Sequence, residues 1–506
     1  MHSITIVGGG TAGWMTATLI NQAYNKHHKL VDIRLIESPD VDIIGVGEAT
    51  VPAIKDFLQA AGIDEAEFMN YCNATFKNGI MFENWRQPKH GKMHRYVHPF
   101  DFERVEKRLD IATSWVLSER QRPFDESVSL ASTLIQHNLT PKTRTTKPYH
   151  GIVHYSYHMD ARLFGQFLRQ RAMAAGVTRI EAHVESVNTD NGQISSIATT
   201  QGLFESDLFI DCTGFRALLI SALEEKSSNW RSYQDELMCD SAVTVQIPHS
   251  EEHIPRSYTV AHALSCGWAW SIDLQNRTGN GYVYSSKYCS KEQAELEFRN
   301  YLKLDNNVAL NHIDMSVGRR KRHWIGNCVA IGLAGGFIEP LESTGLHLIF
   351  LAARFLVLHN NFQYCEANIA GFNQTMNATY DELKDFIVTH YVLSDRDDSD
   401  FWRDISKTLD ACPQLAQKLD LWQSKVCEFF DVSNSTSHMF TDTSYRYILF
   451  GMDHIPQIKI PYFDGEFTDV FEFVKSRQQK AVAIALNHVD YFSYDVKGQV
   501  TVKLSQ

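Results

Sequence analysis

The sequence has no CxxC pair, no apolar run long enough to cross a bilayer, no second glycine-rich dinucleotide motif and no excess of positive charge. Each absence removes a class. The nine cysteines (Cys72, Cys212, Cys239, Cys266, Cys289, Cys328, Cys365, Cys412 and Cys427) are odd in number and scattered. That excludes a disulfide framework and a cysteine-built zinc centre, predicts no metal, and reads as reduced thiols of a cytoplasmic protein. The 48 basic residues are outnumbered by 60 acidic ones, giving a net charge of -12, so no nucleic-acid partner using a broad basic surface is expected. No basic leader precedes the first strand-like segment, and no membrane association is expected. Internal repeats and low-complexity linkers are also missing. At 44% hydrophobic residues the chain is too apolar for disorder, and its 506 residues suggest about three domains at roughly 150 residues each.

The informative segment starts at the third residue. Ser3-Ile4-Thr5-Ile6-Val7 is β-rich and apolar, as a buried parallel strand is. Gly8-Gly9-Gly10-Thr11-Ala12-Gly13 follows, with Gly8, Gly10 and Gly13 in the GxGxxG positions, and Trp14 to Tyr24 reads as a helix with Met15, Leu19 and Ala23 along one stripe. Asp32 to Ile36 is a second strand that ends at Glu37, 24 residues after Gly13. Strand, glycine turn, helix, strand and acid in that order predict an adenine-dinucleotide site. Gly8 permits the tight turn, Gly10 lets the backbone approach a pyrophosphate, Gly13 permits close helix packing, and Glu37 accepts hydrogen bonds from a ribose diol.

Two further strand ends point to FAD over NAD. Leu208-Phe209-Ile210 leads into Asp211-Cys212-Thr213-Gly214, and Ile325 to Gly332 leads towards a helix near Thr344. Three dispersed contact regions suit the long cradle that an isoalloxazine needs. With no second GxGxxG unit to hold a nicotinamide, the flavin must be reduced elsewhere and delivered as FADH2.

Several longer motifs then resemble the flavin-dependent tryptophan halogenase family. They are Gly8 to Trp14, Gly45-Val46-Gly47-Glu48-Ala49-Thr50-Val51-Pro52, Asn73-Ala74-Thr75-Phe76-Lys77, Phe82-Glu83-Asn84-Trp85, Gly281-Tyr282-Val283-Tyr284-Ser285-Ser286 and Phe337 to Gly345, in the family's order. The resemblance implies an oxidoreductase that uses FADH2 from a separate flavin reductase, oxygen, and chloride or bromide to form hypohalous acid, which reaches an aromatic substrate through a tunnel. It implies flavin contacts at Gly8, Gly10, Thr11, Ala12, Gly13, Glu37, Gly47, Ala49, Val184, Leu333 and Leu346. Residues 45–52 would form a strap between the flavin and substrate sites. Thr344 and Gly345 would hold the halide with backbone N–H groups at a helix N-terminus. Glu342 and Ser343 would be catalytic.

Departures from the family pattern are as informative. The family form FKxxIKF has a lysine that carries or hydrogen-bonds the oxidant, and Met81 stands at that position in Phe76-Lys77-Asn78-Gly79-Ile80-Met81-Phe82. Lys77 is the family's other lysine. Within one continuous strand its four-residue offset keeps the face but displaces it by roughly 13 Å. A thioether cannot form a haloamine and is itself oxidised by hypohalous acid; alternatively Met81 is a core residue. The family signature WxWxIP appears as Trp268-Ala269-Trp270-Ser271-Ile272-Asp273, with Asp273 in place of proline, which implies altered backbone freedom and a relaxed barrier between flavin and substrate.

On the substrate side the resemblance points to His98 and Phe100, placed in a loop, to Trp268 and Trp270 on one face of a strand, and to Arg446, in the segment Ser444 to Met452 where the family has its substrate lid. Arg446 would pair with a substrate carboxylate or lie solvated at the surface. The acidic run Ser394 to Asp400 reads as a solvated connection. The fold class expected is α/β: an FAD-binding, glutathione-reductase-like Rossmann domain over residues 1–360, interleaved with a substrate sheet at about 86–149 and 241–309, followed by a mostly helical cover over 361–506. Glu382 to Tyr391 and Phe467 to Leu486 show helical spacing. The partners considered are a flavin reductase, an aromatic small molecule or peptide, and a second copy of the chain. Two activities remain open: halogenation of an indole or other electron-rich aromatic, and a diverged monooxygenase or oxidase that no longer halogenates because of Met81.

Overall fold

A computed structural model describes residues 2–41, 48–101, 110–360, 365–433, 436–437, 439–458 and 468–493. The strap residues 45–47, Gly47 among them, lie outside the described residues. The chain forms two compact units, each assembled from separated stretches: Met1–Cys72, Met159–Gln234 and Met315–Leu383 in the first, and Asn73–His158, Asp235–Asp314 and Lys384–Gln506 in the second.

The first unit is built on a six-stranded sheet in the order 324–325, 328–330, 208–211, 3–7, 32–37 and 178–181, parallel except at the short Trp324–Ile325 edge. Its central strands are packed on both faces, by helices on one and by the three-stranded sheet of residues 184–204 with the helix Leu218–Leu223 on the other, so Ile4, Ile6, Leu35, Phe209 and Ile210 are fully buried. The helices Thr11–Asn25, Ala161–Ala174 and Gly345–Asn360 pack together there. The parallel order with crossovers makes this an α/β unit of the expected kind, and the strand ends predicted at Val7, Glu37 and Asp211 all lie at its carboxyl edge.

The second unit carries a seven-stranded sheet in the order 311–314, 241–248, 277–284, 267–273, 259–264, 79–83 and 95–99. All neighbours are antiparallel except Thr259–Leu264 with Gly79–Glu83. The residues from 384 onward pack as part of this unit. The boundary falls inside the helix Glu366–Val392. Asn373 and Asp381 hydrogen-bond Trp324 and Arg319 of the first unit. Phe386 and His390 pack their rings 5.8 Å from His98 and 4.9 Å from Phe82 in the second.

Lys77 and Met81 do not share a strand. Thr75–Lys77 pairs with Ser156–Met159, whereas Gly79–Glu83 belongs to the large sheet. Asn78 turns the chain from one to the other, donating its N–H to the Ser257 carbonyl (2.8 Å) while its own carbonyl accepts from Phe100 N (3.3 Å). Gly79 is required next, since a Cβ there would lie 2.7 Å from the His98 carbonyl oxygen.

Buried neutral histidines set the acid stability of both units. Burial lowers the imidazole of His488 to about 4, and burial with Arg354 lowers His347 to about 4. Each is neutral in the folded chain but takes a proton near pH 6.5 when unfolded, so unfolding binds protons between these values. Stability is full above about pH 6.5 and falls as pH drops towards 4, by about 3 kcal/mol for a fully buried histidine. Denaturant titrations at pH 7.5 and 4.5 should show this loss, and His488→Gln should reduce it.

Candidate active site

The glycine turn closes by backbone contact. Gly8 has φ +116°, and a Cβ there would lie 2.2 Å from the Cys212 carbonyl oxygen. A Cβ at Gly13 would lie 1.9 Å from the Gly8 carbonyl oxygen, and one at Gly9 only 1.8 Å from Glu37 Oε2. Gly10 is the exception, with nothing within 4 Å of its Cβ direction. The helix begins immediately after it: Trp14 N donates to Gly10 O (3.2 Å), which leaves the N–H groups of Thr11, Ala12 and Gly13 without intrahelical acceptors. Open space over Gly10 beside a helix N-terminus is what a pyrophosphate needs.

Glu37 is buried under this turn. It accepts from Trp14 Nε1 (3.2 Å) and Arg169 Nη1 (3.4 Å) and ion-pairs Arg179 through Nε. Trp14 follows the motif directly, but Arg169 and Arg179 carry no sequence signal linking them to it. The Glu37 carbonyl accepts from Ala182 N (2.9 Å), and Val184, two residues on, packs on the cluster of Val7, Ile36 and Phe209.

The other strand ends reach the same edge. Asp211 is fully buried: Oδ1 accepts from Thr213 N (3.0 Å) and Oγ1 (2.7 Å), and Oδ2 accepts from the amides of Leu219 (2.8 Å) and Ile220 (3.0 Å), so this acid shapes the Cys212–Gly214 turn. Gly332 has φ +70°, and its Cβ would lie 2.9 Å from that of Ala12, which seats the half-buried Leu333 beside the first helix. Pro340 starts a 3-10 turn, and Ser343 at φ 62° breaks it. Leu348 N then donates to Thr344 O (2.9 Å), and the helix Gly345–Asn360 starts with the N–H groups of Gly345, Leu346 and His347 lacking intrahelical acceptors. Glu342 and Thr344 are buried and Gly345 is exposed. Leu346, His347 and Phe350 line one recess with Thr50, Val51 and Ile54, next to the buried Ala49. These residues fit an FAD: the Cβ direction of Gly10 is open where a pyrophosphate would approach, and an anion-suited helix start lies beside an apolar recess.

Residues 3–465 match the profile of the tryptophan halogenase family. The chain belongs to the flavin-dependent tryptophan halogenase family. It is 33% identical over 517 residues to a tryptophan 7-halogenase, RebH, of Lentzea aerocolonigenes, covering 95% of this chain and 96% of that one. It is 35% identical over 475 residues to a tryptophan 6-halogenase, SttH, of Streptomyces toxytricini, covering 88% of each. The crystal structure of a tryptophan halogenase from Shewanella frigidimarina matches with a TM-score of 0.90 at 33% identity, over 97% of this chain and 96% of that one. As a flavin-dependent halogenase the chain is an oxidoreductase served by a separate flavin reductase, and its family implies FAD and halide. No helix among the described residues is long and apolar enough to cross a membrane.

The halogenase residues of the second unit differ in several ways from expectation. His98 lies in the strand Arg95–Pro99, buried among Phe386, Phe440 and Tyr447, not in a loop. Phe100 follows the strand, its ring 5.0 Å from Lys77 Nζ, and Lys77 is fully buried. Met81 sits in an apolar cluster with Val97, Ile135 and Tyr258, the surroundings of a packing residue. Trp268 and Trp270 are buried with ring centroids 6.0 Å apart, and a Cβ on Gly281 would come within 2.1 Å of the Trp270 ring.

Asp273 is no loosened strand end. Its fully buried carboxylate accepts from Arg256 N (2.9 Å), Arg256 Nε (2.7 Å) and Thr278 Oγ1 (2.7 Å). Burial pushes this carboxyl up, but Arg256 outweighs burial and holds it well below the usual range. Arg446 is neither solvated nor waiting for a carboxylate. In the helix Asp442–Gly451 it faces Asp110 (3.4 Å) and Asp442 (3.3 Å) and donates to the Cys427 carbonyl (2.6 Å). The run Ser394 to Asp400 is a clasp: Asp395 pairs with Arg86 (2.6 Å) and accepts from Gln87 N (2.8 Å), and Asp398 pairs with Arg396 (2.7 Å).

The glycines give a discriminating test of the flavin site. Gly10→Ala has room and should leave the thermal midpoint nearly unchanged while weakening FAD binding about tenfold or more. Gly13→Ala must displace the Gly8 carbonyl and should cost about 2 kcal/mol or more of stability. Isothermal titration with FAD and denaturant unfolding separate the two effects.

Proposed function

We propose that the chain halogenates an indole or another electron-rich aromatic ring, using FADH2 from a separate reductase, oxygen, and chloride or bromide. The carrying observation is that, within one unit, the helix beginning at Gly345 lines, through Leu346, His347 and Phe350, the same recess as Thr50 and Val51. Reduced FAD, when bound, supplies the two electrons with which oxygen is activated and the halide is oxidised to the level of hypohalous acid. The N–H groups of Thr344 and Gly345 hold the halide, an anion suited to the positive end of a 16-residue helix. Ser343 in its left-handed conformation sets where that helix starts. Glu342, buried one residue earlier, is the carboxylate we assign to receiving the proton released from the ring.

Lys77 is the cation we assign to the oxidant. A buried ammonium offers N–H donors that a hypohalous oxygen can accept from, and its nitrogen is the amine that the family chemistry calls for. Met81 then serves packing, and the loss-of-halogenation reading, which rested on Met81, has no support in its surroundings. The guanidinium of Arg446 is already neutralised by two carboxylates, so we do not assign it to a substrate carboxylate. Relatives that halogenate tryptophan at position 7 and at position 6 match equally well, so ring position follows from the substrate's orientation.

Bromination of indole with a flavin reductase, NADH and bromide tests this assignment. Lys77→Met should lower bromoindole formation by roughly 100-fold or more with FAD binding retained, and Glu342→Gln should have a similar effect. Met81→Leu should stay within about threefold of the parent. Met81→Lys should not raise the rate, and should destabilise the fold by on the order of 3 kcal/mol by burying an ammonium among Val97, Ile135 and Tyr258. An active Lys77→Met beside an inactive Met81→Leu would reverse the two roles. Product formed without halide would replace halogenation by oxygenation.

A further inference from the structure

Away from the flavin cradle, three residues place metal-ligand chemistry at one point of the second unit. His249 follows the strand Ser241–Pro248, His253 lies four residues further on, and Asp273 ends the strand Gly267–Asp273. We propose that His249, His253 and Asp273 bind one first-row divalent cation of the zinc type. One donor atom from each lies within 4.8 Å of the others. His253 Nε2 is 3.5 Å from Asp273 Oδ1. Ligands about 2.0–2.2 Å from a tetrahedral zinc lie roughly 3.3–3.5 Å from each other, so this pair already has the spacing of two zinc ligands. His249 Nε2 is 3.1 Å from Thr278 Oγ1, which donates to the same Asp273 Oδ1 at 2.7 Å. The two imidazoles stack with centroids 3.9 Å apart and planes at 22°.

The carboxylate is divided between two tasks. Oδ2 accepts from Arg256 N (2.9 Å) and Nε (2.7 Å), which fixes the group's orientation. Oδ1 faces His253 and Thr278, with the longer Arg256 Nη2 contact at 3.3 Å. That is a monodentate ligand oriented by an outer partner. His249 also hydrogen-bonds the Gln275 backbone, an outer contact of the kind that orients a ligating ring.

Two imidazoles and one carboxylate oxygen favour zinc, copper or nickel over calcium or magnesium, which take oxygen donors. Both histidines are half-buried as residues, while His253 Nε2 and the Asp273 carboxylate are shielded from solvent. The Arg256 charge beside Asp273 weakens attraction for a dication, so the affinity expected is roughly micromolar, below that of a closed structural zinc centre. The bound ion would tie the turn carrying His249 and His253 to the end of the strand that carries Trp268 and Trp270.

Chelator-treated, FAD-loaded protein should be titrated with Co2+ and followed by visible ligand-field absorption, then challenged with Zn2+. One ion per chain, displaced by zinc, is expected, with the thermal midpoint raised by the metal. His253→Gln, a partly exposed substitution, should weaken binding by at least about tenfold while leaving FAD content unchanged. The double variant His249→Phe/His253→Phe should abolish it. Absence of saturable binding in the parent, or unchanged binding in the double variant, would overturn the assignment, the latter pointing to cysteines such as Cys266 and Cys289 as the real ligands.

Discussion

The nucleotide unit depends on one constraint: backbone segments meet at the Gly8–Gly13 turn at separations that exclude side chains. A methyl group at Gly8, Gly9 or Gly13 would fall between 1.8 and 2.2 Å from Cys212 O, Glu37 Oε2 or Gly8 O. With those three Cβ atoms absent, the first strand, its neighbour ending at Asp211 and the helix Thr11–Asn25 come together closely enough to present bare amides at one edge. Gly332 repeats the device against Ala12 and brings the third strand end to the same place. The shape of the turn is therefore a packing consequence, and of its glycines only Gly10 has no such contact.

The second unit is organised by buried polar groups. Asp273 is held by Arg256 and Thr278 at the end of the strand that carries the two tryptophans. His158 lies between Thr75 Oγ1 (3.2 Å) and Thr259 Oγ1 (2.8 Å), joining the strand that contains Lys77 to the large sheet. Leaving any of these groups unmatched costs about 1–3 kcal/mol. They fix strand register more sharply than apolar contacts alone, and so fix where Lys77 and the indole rings stand.

Most of the nucleotide unit was legible from residues 3–37, because strand period, glycine spacing and an acid at the right distance are local signals. The strand ends at Asp211 and Ala330 and the helix starting at Gly345 were readable for the same reason. What could not be read was long-range. Thr75–Lys77 and Gly79–Glu83 look like one strand in sequence, and only the hydrogen bonds of Asn78 to Ser257 and Phe100 show the break. The unit boundary near residue 383 falls inside a continuous helix, where periodicity has no reason to change. Asp273 looked like a loosened strand end because its partner Arg256 lies 17 residues away in a different segment.

Charged residues show the same limit in a sharper form. Sequence can nominate a charge for ligand binding, but its availability depends on partners far along the chain. Glu37 and Arg446 were both nominated, and both are ion-paired here, the one to an arginine 132 residues away and the other to an aspartate 336 residues away. They differ in what exchange would cost. The arginines on Glu37 are partly exposed, at 35% and 26%, so their pairing is a weak, water-competed one that ribose hydroxyls can share. Arg446 is only 12% exposed, sits between two carboxylates, and also satisfies the Cys427 carbonyl. Drawing it towards a substrate would strip a buried carbonyl and break two ion pairs, so exchange for a ligand costs far more at Arg446 than at Glu37.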